Sequence, residues 1–234
     1  MNNIFFISGA IGSDYGVFDL EQRFQQVLDT IRSIRTYAPD DHICLYDCSE
    51  QKLPDHYIEQ LQNSVDFLHL LHDHRLVAEL KNFDHEDTNL TGKKTFGELI
   101  NTLEFLHWLK LHHPIKYNRV FKISARYRIN ENFKISDYDK AKDSMVFSYK
   151  RNWYGDDVYT LRLYSFDYNQ LETIIDMFLK IYEYVVKIIF EDAKVRIIEF
   201  CVYKFVQELK IPAMEFDIMG IEGLHGQDGA GVNE

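Results

Sequence analysis

Asn3-Ile4-Phe5-Phe6-Ile7-Ser8 runs directly into Gly9-Ala10-Ile11-Gly12, and this junction decides the fold. A short apolar run of this length, ended by small residues, predicts a buried strand that opens into a flexible loop. Next, Phe24, Val27, Leu28, Ile31 and Ile34 recur at helical spacing and predict an amphipathic helix over residues 20–37, ended by Pro39-Asp40-Asp41. His42-Ile43-Cys44-Leu45-Tyr46-Asp47 reads as a second strand with Asp47 at its tip. A short helix over residues 54–63 and a strand over 65–71 follow. Three strands separated by helices predict βαβ units and a parallel sheet.

The pattern then breaks. Residues 72–94 are polar and show no clear period, which predicts a long loop. Phe96, Leu99, Ile100, Leu103, Leu106 and Leu109 mark a helix closed by Pro114, and Arg119-Val120-Phe121-Lys122-Ile123-Ser124 a fourth strand. Further strands are expected over 145–149 and 158–166, the latter antiparallel, with helices over 168–190 and 194–210. In the first of these helices the charges at Asp176, Lys180, Glu183 and Lys187 form one narrow stripe. The remaining surface is apolar, so the helix is buried or packs on a partner, a second copy through 174–190 being one such partner. Residues 220–234 hold five glycines and predict a flexible tail.

Composition bounds the function. In 234 residues, 26 Lys and Arg stand against 37 Asp and Glu, a net charge of −11. Affinity for nucleic acid rests on cationic contacts to phosphate, so this balance argues against general nucleic-acid binding and leaves room for a local basic pocket. The three cysteines have no zinc spacing, which points to a reducing compartment. No signal peptide is visible, and the four charges of the most apolar helix argue against a membrane span. A cytoplasmic location, or one peripheral to a membrane, is the expectation.

Nucleotide-loop motifs fail: Gly9, Gly12 and Gly16 do not spell G-x-G-x-x-G, and Gly92-Lys93-Lys94-Thr95 lacks the upstream glycine of a P-loop. The loop after the first strand is nevertheless where an α/β sheet binds ligands, outside the carboxyl ends of its strands.

Two stretches carry a resemblance. Thr30-Ile31-Arg32-Ser33-Ile34, then Pro39, then Ile43-Cys44-Leu45-Tyr46-Asp47-Cys48-Ser49 resembles the start of GT-A type glycosyltransferases, the family-2-like kind. Phe121-Lys122-Ile123-Ser124-Ala125-Arg126-Tyr127 resembles a K-x-S-G-R-Y stretch of surface-polysaccharide glycosyltransferases, with Ala125 in place of the glycine. The resemblance covers about 50 residues well and extends loosely to about residue 130. It implies a GT-A/Rossmann-like, mostly parallel sheet flanked by helices, with a helical C-terminal part. One domain over 1–219 would then divide into a nucleotide-sugar-binding half, 1–130, and an acceptor half, 131–219. It also implies transfer of a sugar from a nucleotide-sugar donor to a glycan acceptor, in surface-polysaccharide synthesis.

The family's strand-tip Asp contacts the nucleobase or ribose of the donor, which implies that role for Asp47; a turn Asp is the plain alternative. Ser8 and Gly9, at the end of the first strand, and Lys122 join it as donor-side candidates. The chain departs from the family where a D-x-D metal motif should close the fourth strand: Arg126 and Arg128 stand there instead. The literal match Asp137-Tyr138-Asp139 comes later, beside Ser136, where a helix start explains it. A divalent ion such as Mn²⁺ or Mg²⁺ would neutralise a leaving diphosphate as a Lewis acid, whereas Lys and Arg would do so by charge-assisted hydrogen bonds. Lys122, Arg126 and Arg128 favour the second solution, with no metal ligand assigned, and Lys93 and Lys94 could close over the diphosphate. Solvated charges at strand ends and in loops are the alternative reading.

An acceptor hydroxyl needs a base. Glu199 is the lone charge of residues 197–203, at the border of an apolar helix face, where burial would raise its pKa. A structural ion pair is its alternative. Asp157 is the competing base. Trp153 and Tyr154, just before it, suit stacking on a sugar. His69, His72, His74 and His85, among acidic residues, match no common metal-ligand spacing. Two other readings stand beside the enzyme: a non-catalytic GT-A-like module that binds glycan or protein, and a phage-type glycosyltransferase of DNA bases, against which the net charge argues.

Overall fold

The computed structural model describes residues 2–13, 16–80, 89–112, 117–153, 155–190, 197–225 and 228–234. In chain order these form β1 (Ile4–Gly9), α1 (Leu20–Tyr37), β2 (His42–Asp47), α2 (Asp55–Gln62), β3 (Phe67–Leu70), α3 (Arg75–Leu80), α4 (Asn89–His112), β4 (Arg119–Ser124), β5 (Tyr127–Ile129) and α5 (Ile135–Tyr138). Then come β6 (Met145–Ser148), β7 (Arg151–Trp153), β8 (Asp156–Val158), β9 (Leu163–Asp167), α6 (Leu171–Phe190), α7 (Ile198–Glu208), β10 (Ala213–Phe216), β11 (Ile221–Leu224) and β12 (Gly231–Asn233).

The α/β class holds. A seven-stranded sheet runs β10-β6-β9-β4-β1-β2-β3. β1 is parallel to β2 and β4, β2 to β3, and β6 to β10, while β9 is antiparallel to both β4 and β6. β1, β2 and β4 read as near-continuous apolar runs because they are covered on both faces. Alternation along each strand assigns the faces. Phe5, Ile7, Ile43, Leu45, Phe121 and Ile123 pack with Phe24, Val27, Ile31 and Ile34 of α1. Ile4, Phe6, Cys44, Tyr46 and Val120 pack on the other side with Leu99, Phe105, Leu106 and Leu109 of α4 and with α6 and α7. Asp19 starts α1 with a reciprocal capping box to Gln22, which satisfies amide groups that the first turn cannot pair.

Two expectations need correction. The long polar loop is in part helix: α3 and the opening turns of α4 fall inside 72–94, while residues 81–88, including His85, lie outside the described residues. The tail over 220–234 carries β11 and β12, which extend β5 into a three-stranded antiparallel sheet. Gly220 makes this docking possible: its φ is +73°, and a Cβ there would lie 2.2 Å from the Phe133 nitrogen. The apolar surface of α6, expected to be buried or to pack on a partner, is packed within the chain by α4 and α7, with Leu179 exposed. Among the described residues, no helix is long and apolar enough to cross a membrane.

Candidate functional site

Strand order reverses between β1 and β4. The crevice outside their carboxyl ends is the switch point at which open α/β sheets bind ligands. Period-two alternation sends Ser8 and Lys122 to the α4 face of the sheet and Asp47 to the α1 face. The donor-side candidates therefore sit on opposite sides of one layer.

On the α4 face, Lys122 is 1% exposed and ion-paired with Glu98 of α4. Its Nζ also donates to Ser124 Oγ at 2.9 Å and to the Leu161 carbonyl at 2.8 Å, so its charge and two of its protons are engaged within the protein. Glu98 accepts from Ser8 Oγ at 2.8 Å, and Asn101 Nδ2 donates to Ser8 Oγ and to the Gly9 carbonyl at 3.2 and 3.0 Å. A buried ammonium is tolerable only with such pairing. Lys122 thus supports the floor of the crevice; it does not line the opening.

On the α1 face, Asp47 is 1% exposed. One oxygen accepts the Ile11 amide at 2.8 Å; the other accepts the Ser49 amide at 3.0 Å and the Ser49 hydroxyl. Ser49 Oγ in turn accepts the Gly12 amide at 2.7 Å. Burial holds the Asp47 carboxyl above its ordinary value, against these hydrogen bonds. A Cβ at Gly9 would lie 2.9 Å from Asp47 Oδ2, so only glycine lets the strand end approach this closely. In this arrangement both carboxylate oxygens tie down the loop after β1 and neither is offered to a base or ribose. The held loop lines a pocket of about 290 Å³ formed by Ile11, Gly12, Ser13, Phe18, Asp19, Leu20 and Gln51.

Cations gather at the mouth. Lys94 lies one helical turn before Glu98 on the same stripe of α4. Although the residue is exposed, its ammonium is held below its ordinary value, first by desolvation and then by the Arg126 guanidinium, with Arg23 of α1 also in electrostatic reach. Arg126 occupies the turn after β4, and its Nε is buried without a partner among the described residues. Arg128 points away and pairs with Glu222. Lys93 lies in α4, its side chain outside the described ones.

Glu199 stands in the first turn of α7, half-buried, in reach of Glu98, Lys122, Arg162 and Lys94. Its carboxyl is raised, mainly by burial and further by the like charge of Glu98. Asp157 has the opposite character. On the β7–β8 hairpin it accepts from Lys150 at 2.9 Å and Tyr203 at 3.3 Å, and the Lys150 hydrogen bond lowers its pKa. A carboxylate so stabilised is a weaker base. Trp153 is half-buried on the same hairpin; Tyr154 lies outside the described residues.

Among the described residues, none fits the metal that the resemblance to GT-A proteins implies. Asp137 is ion-paired with Lys140, and Asp139 accepts from Asn118, the residue before β4 begins. That is the far end of a six-residue strand, about 20 Å from the crevice. Among the described residues, no group of three His, Cys, Asp or Glu side chains could hold a metal ion. His72 pairs with Asp73 and His74 with Glu104, as separate contacts.

Glu98, Asn101, Arg23 and Arg162 were not singled out from the sequence. A signal existed for Glu98: it is the lone charge of residues 95–103, the same criterion that selected Glu199. Compared with known proteins, the chain matches no protein-family model and no curated protein.

Proposed function

We propose that the protein is a GT-A-like glycosyltransferase that moves a sugar from a nucleotide-sugar to a glycan acceptor, in surface-polysaccharide synthesis. One observation carries the reading: Glu199, raised by burial, stands at a switch-point crevice whose mouth gathers Lys94, Arg126 and Arg23. Like charges brought together repel, and the repulsion is screened where a group is exposed to solvent, as Lys94 is. An anion placed among them would relieve that cost, and a diphosphate is such an anion.

In this reading the pocket behind the loop held by Asp47 takes the nucleoside, and Arg126 and Lys94 take the diphosphate. Glu199 accepts the proton of the acceptor hydroxyl as its oxygen bonds to the anomeric carbon. The bond from that carbon to the diphosphate breaks, and the electron pair leaves on the diphosphate, stabilised by the two cations. Trp153 offers an apolar face to the acceptor sugar.

A second reading, a non-catalytic GT-A-like module, is favoured by one fact: both Asp47 and Lys122 spend their hydrogen-bonding capacity inside the protein. A thermal-shift screen with nucleoside diphosphates, with Mn²⁺ and with EDTA, followed by assay of diphosphate release from nucleotide-sugars, separates the two. The enzyme predicts stabilisation by a nucleotide in EDTA and release that depends on Glu199. Stabilisation without release over a broad donor and acceptor panel supports the module. No stabilisation by any nucleotide overturns the donor site.

A further inference from the structure

The most unusual charge arrangement outside the crevice is a carboxylate buried between two arginines. Glu234 has a side-chain exposure of 3% and is ion-paired with both Arg151 of β7 and Arg162, in the connection from β8 to β9. Both arginines reach the same oxygen, Oε1; Thr160 Oγ1 donates to Oε2 at 3.5 Å. The guanidiniums are held in place independently of Glu234, Arg151 over the Tyr149 ring and Arg162 over the Tyr127 ring, at 5.1 and 5.7 Å.

The fit is incomplete. A guanidinium matches a carboxylate or phosphoryl group best when two of its N–H groups meet two oxygens. Here two forks share one oxygen, and Arg151 Nε is buried without a partner among the described residues. One carboxylate oxygen thus answers two guanidiniums. A phosphoryl group, with more oxygens and up to two charges, would satisfy both forks.

The segment that delivers Glu234 is a short edge strand. β12 has three residues and pairs only with β11, as the outer strand of its sheet. The pairing ends in reciprocal backbone hydrogen bonds between Ile221 and Glu234, at 2.8 and 2.9 Å. The arginine pair adjoins the crevice: the Arg162 carbonyl accepts the Ser124 amide at 2.9 Å, and Arg162 lies in electrostatic reach of Glu199.

We infer that Arg151 and Arg162 form an anion subsite for a phosphoryl group, in which the Glu234 carboxylate is a built-in occupant that the ligand displaces. The inference does not depend on the glycosyl-transfer reading, because it concerns a separate pair of cations and is tested with inorganic phosphate. Glu234→Gln keeps the shape and removes the competing charge. By calorimetry at matched ionic strength, this variant should bind inorganic phosphate roughly tenfold tighter or more than the parent, the scale of one charge-assisted hydrogen bond. Its melting temperature should rise in phosphate more than in chloride. Adding Arg151→Gln and Arg162→Gln should abolish the gain. A folded Glu234→Gln protein with parental phosphate affinity overturns the inference, as does a gain that survives loss of both arginines. If Glu234→Gln does not fold, hydrogen exchange on the parent decides. Phosphate should accelerate exchange at the Ile221 and Glu234 amides, and unchanged exchange at the highest soluble phosphate concentration overturns displacement.

Discussion

Lys122→Met isolates the charge that supports the crevice floor. Methionine keeps much of the volume and removes the ammonium. Three partners then lose a contact: the Glu98 carboxylate, Ser124 Oγ and the Leu161 carbonyl, the last two keeping a 3.5 Å hydrogen bond to each other. Removing one member of a buried ion pair typically costs about 3–5 kcal/mol. Glu98 retains the Ser8 hydroxyl, and its side chain is 22% exposed, so the lower end applies, about 3 kcal/mol. For a chain of this size, each kcal/mol shifts the melting temperature by about 2–4 °C, so a fall of about 6–12 °C is expected. Urea unfolding of the parent, Lys122→Met, Glu98→Gln and the double variant gives the coupling directly. The double variant should be about 1–3 kcal/mol better than the sum of the singles, since it no longer buries a lone charge. Raising salt should leave the gap nearly unchanged, because a buried pair is weakly screened. A Lys122→Met protein within about 1 kcal/mol of the parent, or a double variant that merely adds, would refute the reasoning.

Arg126→Gln should weaken nucleoside diphosphate binding by about 1.5–3 kcal/mol, roughly 10–100-fold, by calorimetry at fixed ionic strength, with the melting temperature nearly unchanged. Glu199→Gln should lower turnover about 10²–10⁴-fold while sparing donor affinity. The same variant tests linkage. A carboxyl raised in the fold binds its proton more tightly folded than unfolded, so its ionisation costs stability as pH climbs from about 4.3 through the raised value. Stability of the parent relative to Glu199→Gln should therefore fall over that window, and a rise would contradict the burial. Gly220→Ala must place a Cβ against the Phe133 backbone at positive φ; the strain alone costs about 1–3 kcal/mol, read as a lowered urea midpoint.

The parallel strands were legible because burial on both faces leaves unbroken apolar runs: the bounds expected for α1, β2 and β4 are those observed. The opening of α4 was not legible, because Asn89-Leu90-Thr91-Gly92-Lys93-Lys94 offers one apolar residue and so no apolar face to detect. The strands of the tail were hidden for a different reason. Their glycines read as loose chain, whereas Gly220 is required by close contact with Phe133. The crevice was half legible. Strand ends located it, and the lone charge on an apolar helix located Glu199. What each strand-end residue does was not legible from motif position, because a motif says that a residue is near the site and not which side of the sheet it faces. Alternation says that, and applied to Asp47 and Lys122 it separates them.

This separation gives the crevice two sets of polar residues with different tasks. Asp47, Lys122, Ser8 and Ser49 are buried and spend their hydrogen bonds on neighbouring side chains and on backbone. Lys94 has desolvation and the Arg126 charge acting against its own, Arg126 Nε has no partner among the described residues, and Glu199 has burial acting against its charge. A group satisfied internally contributes stability and holds position. A group left unsatisfied costs stability and is retained where a ligand completes it. Substitutions in the first set should therefore move the unfolding midpoint first, and those in the second set should move ligand affinity or turnover first. Glu98 belongs to both: one oxygen takes the Ser8 hydroxyl, the other faces Lys122, and its charge raises Glu199. With Lys122, it couples the floor to the group proposed as the base. Removing its like charge in Glu98→Gln should accordingly lessen the Glu199-dependent fall of stability with pH, whereas Lys122→Met, which removes an opposite charge, should deepen it.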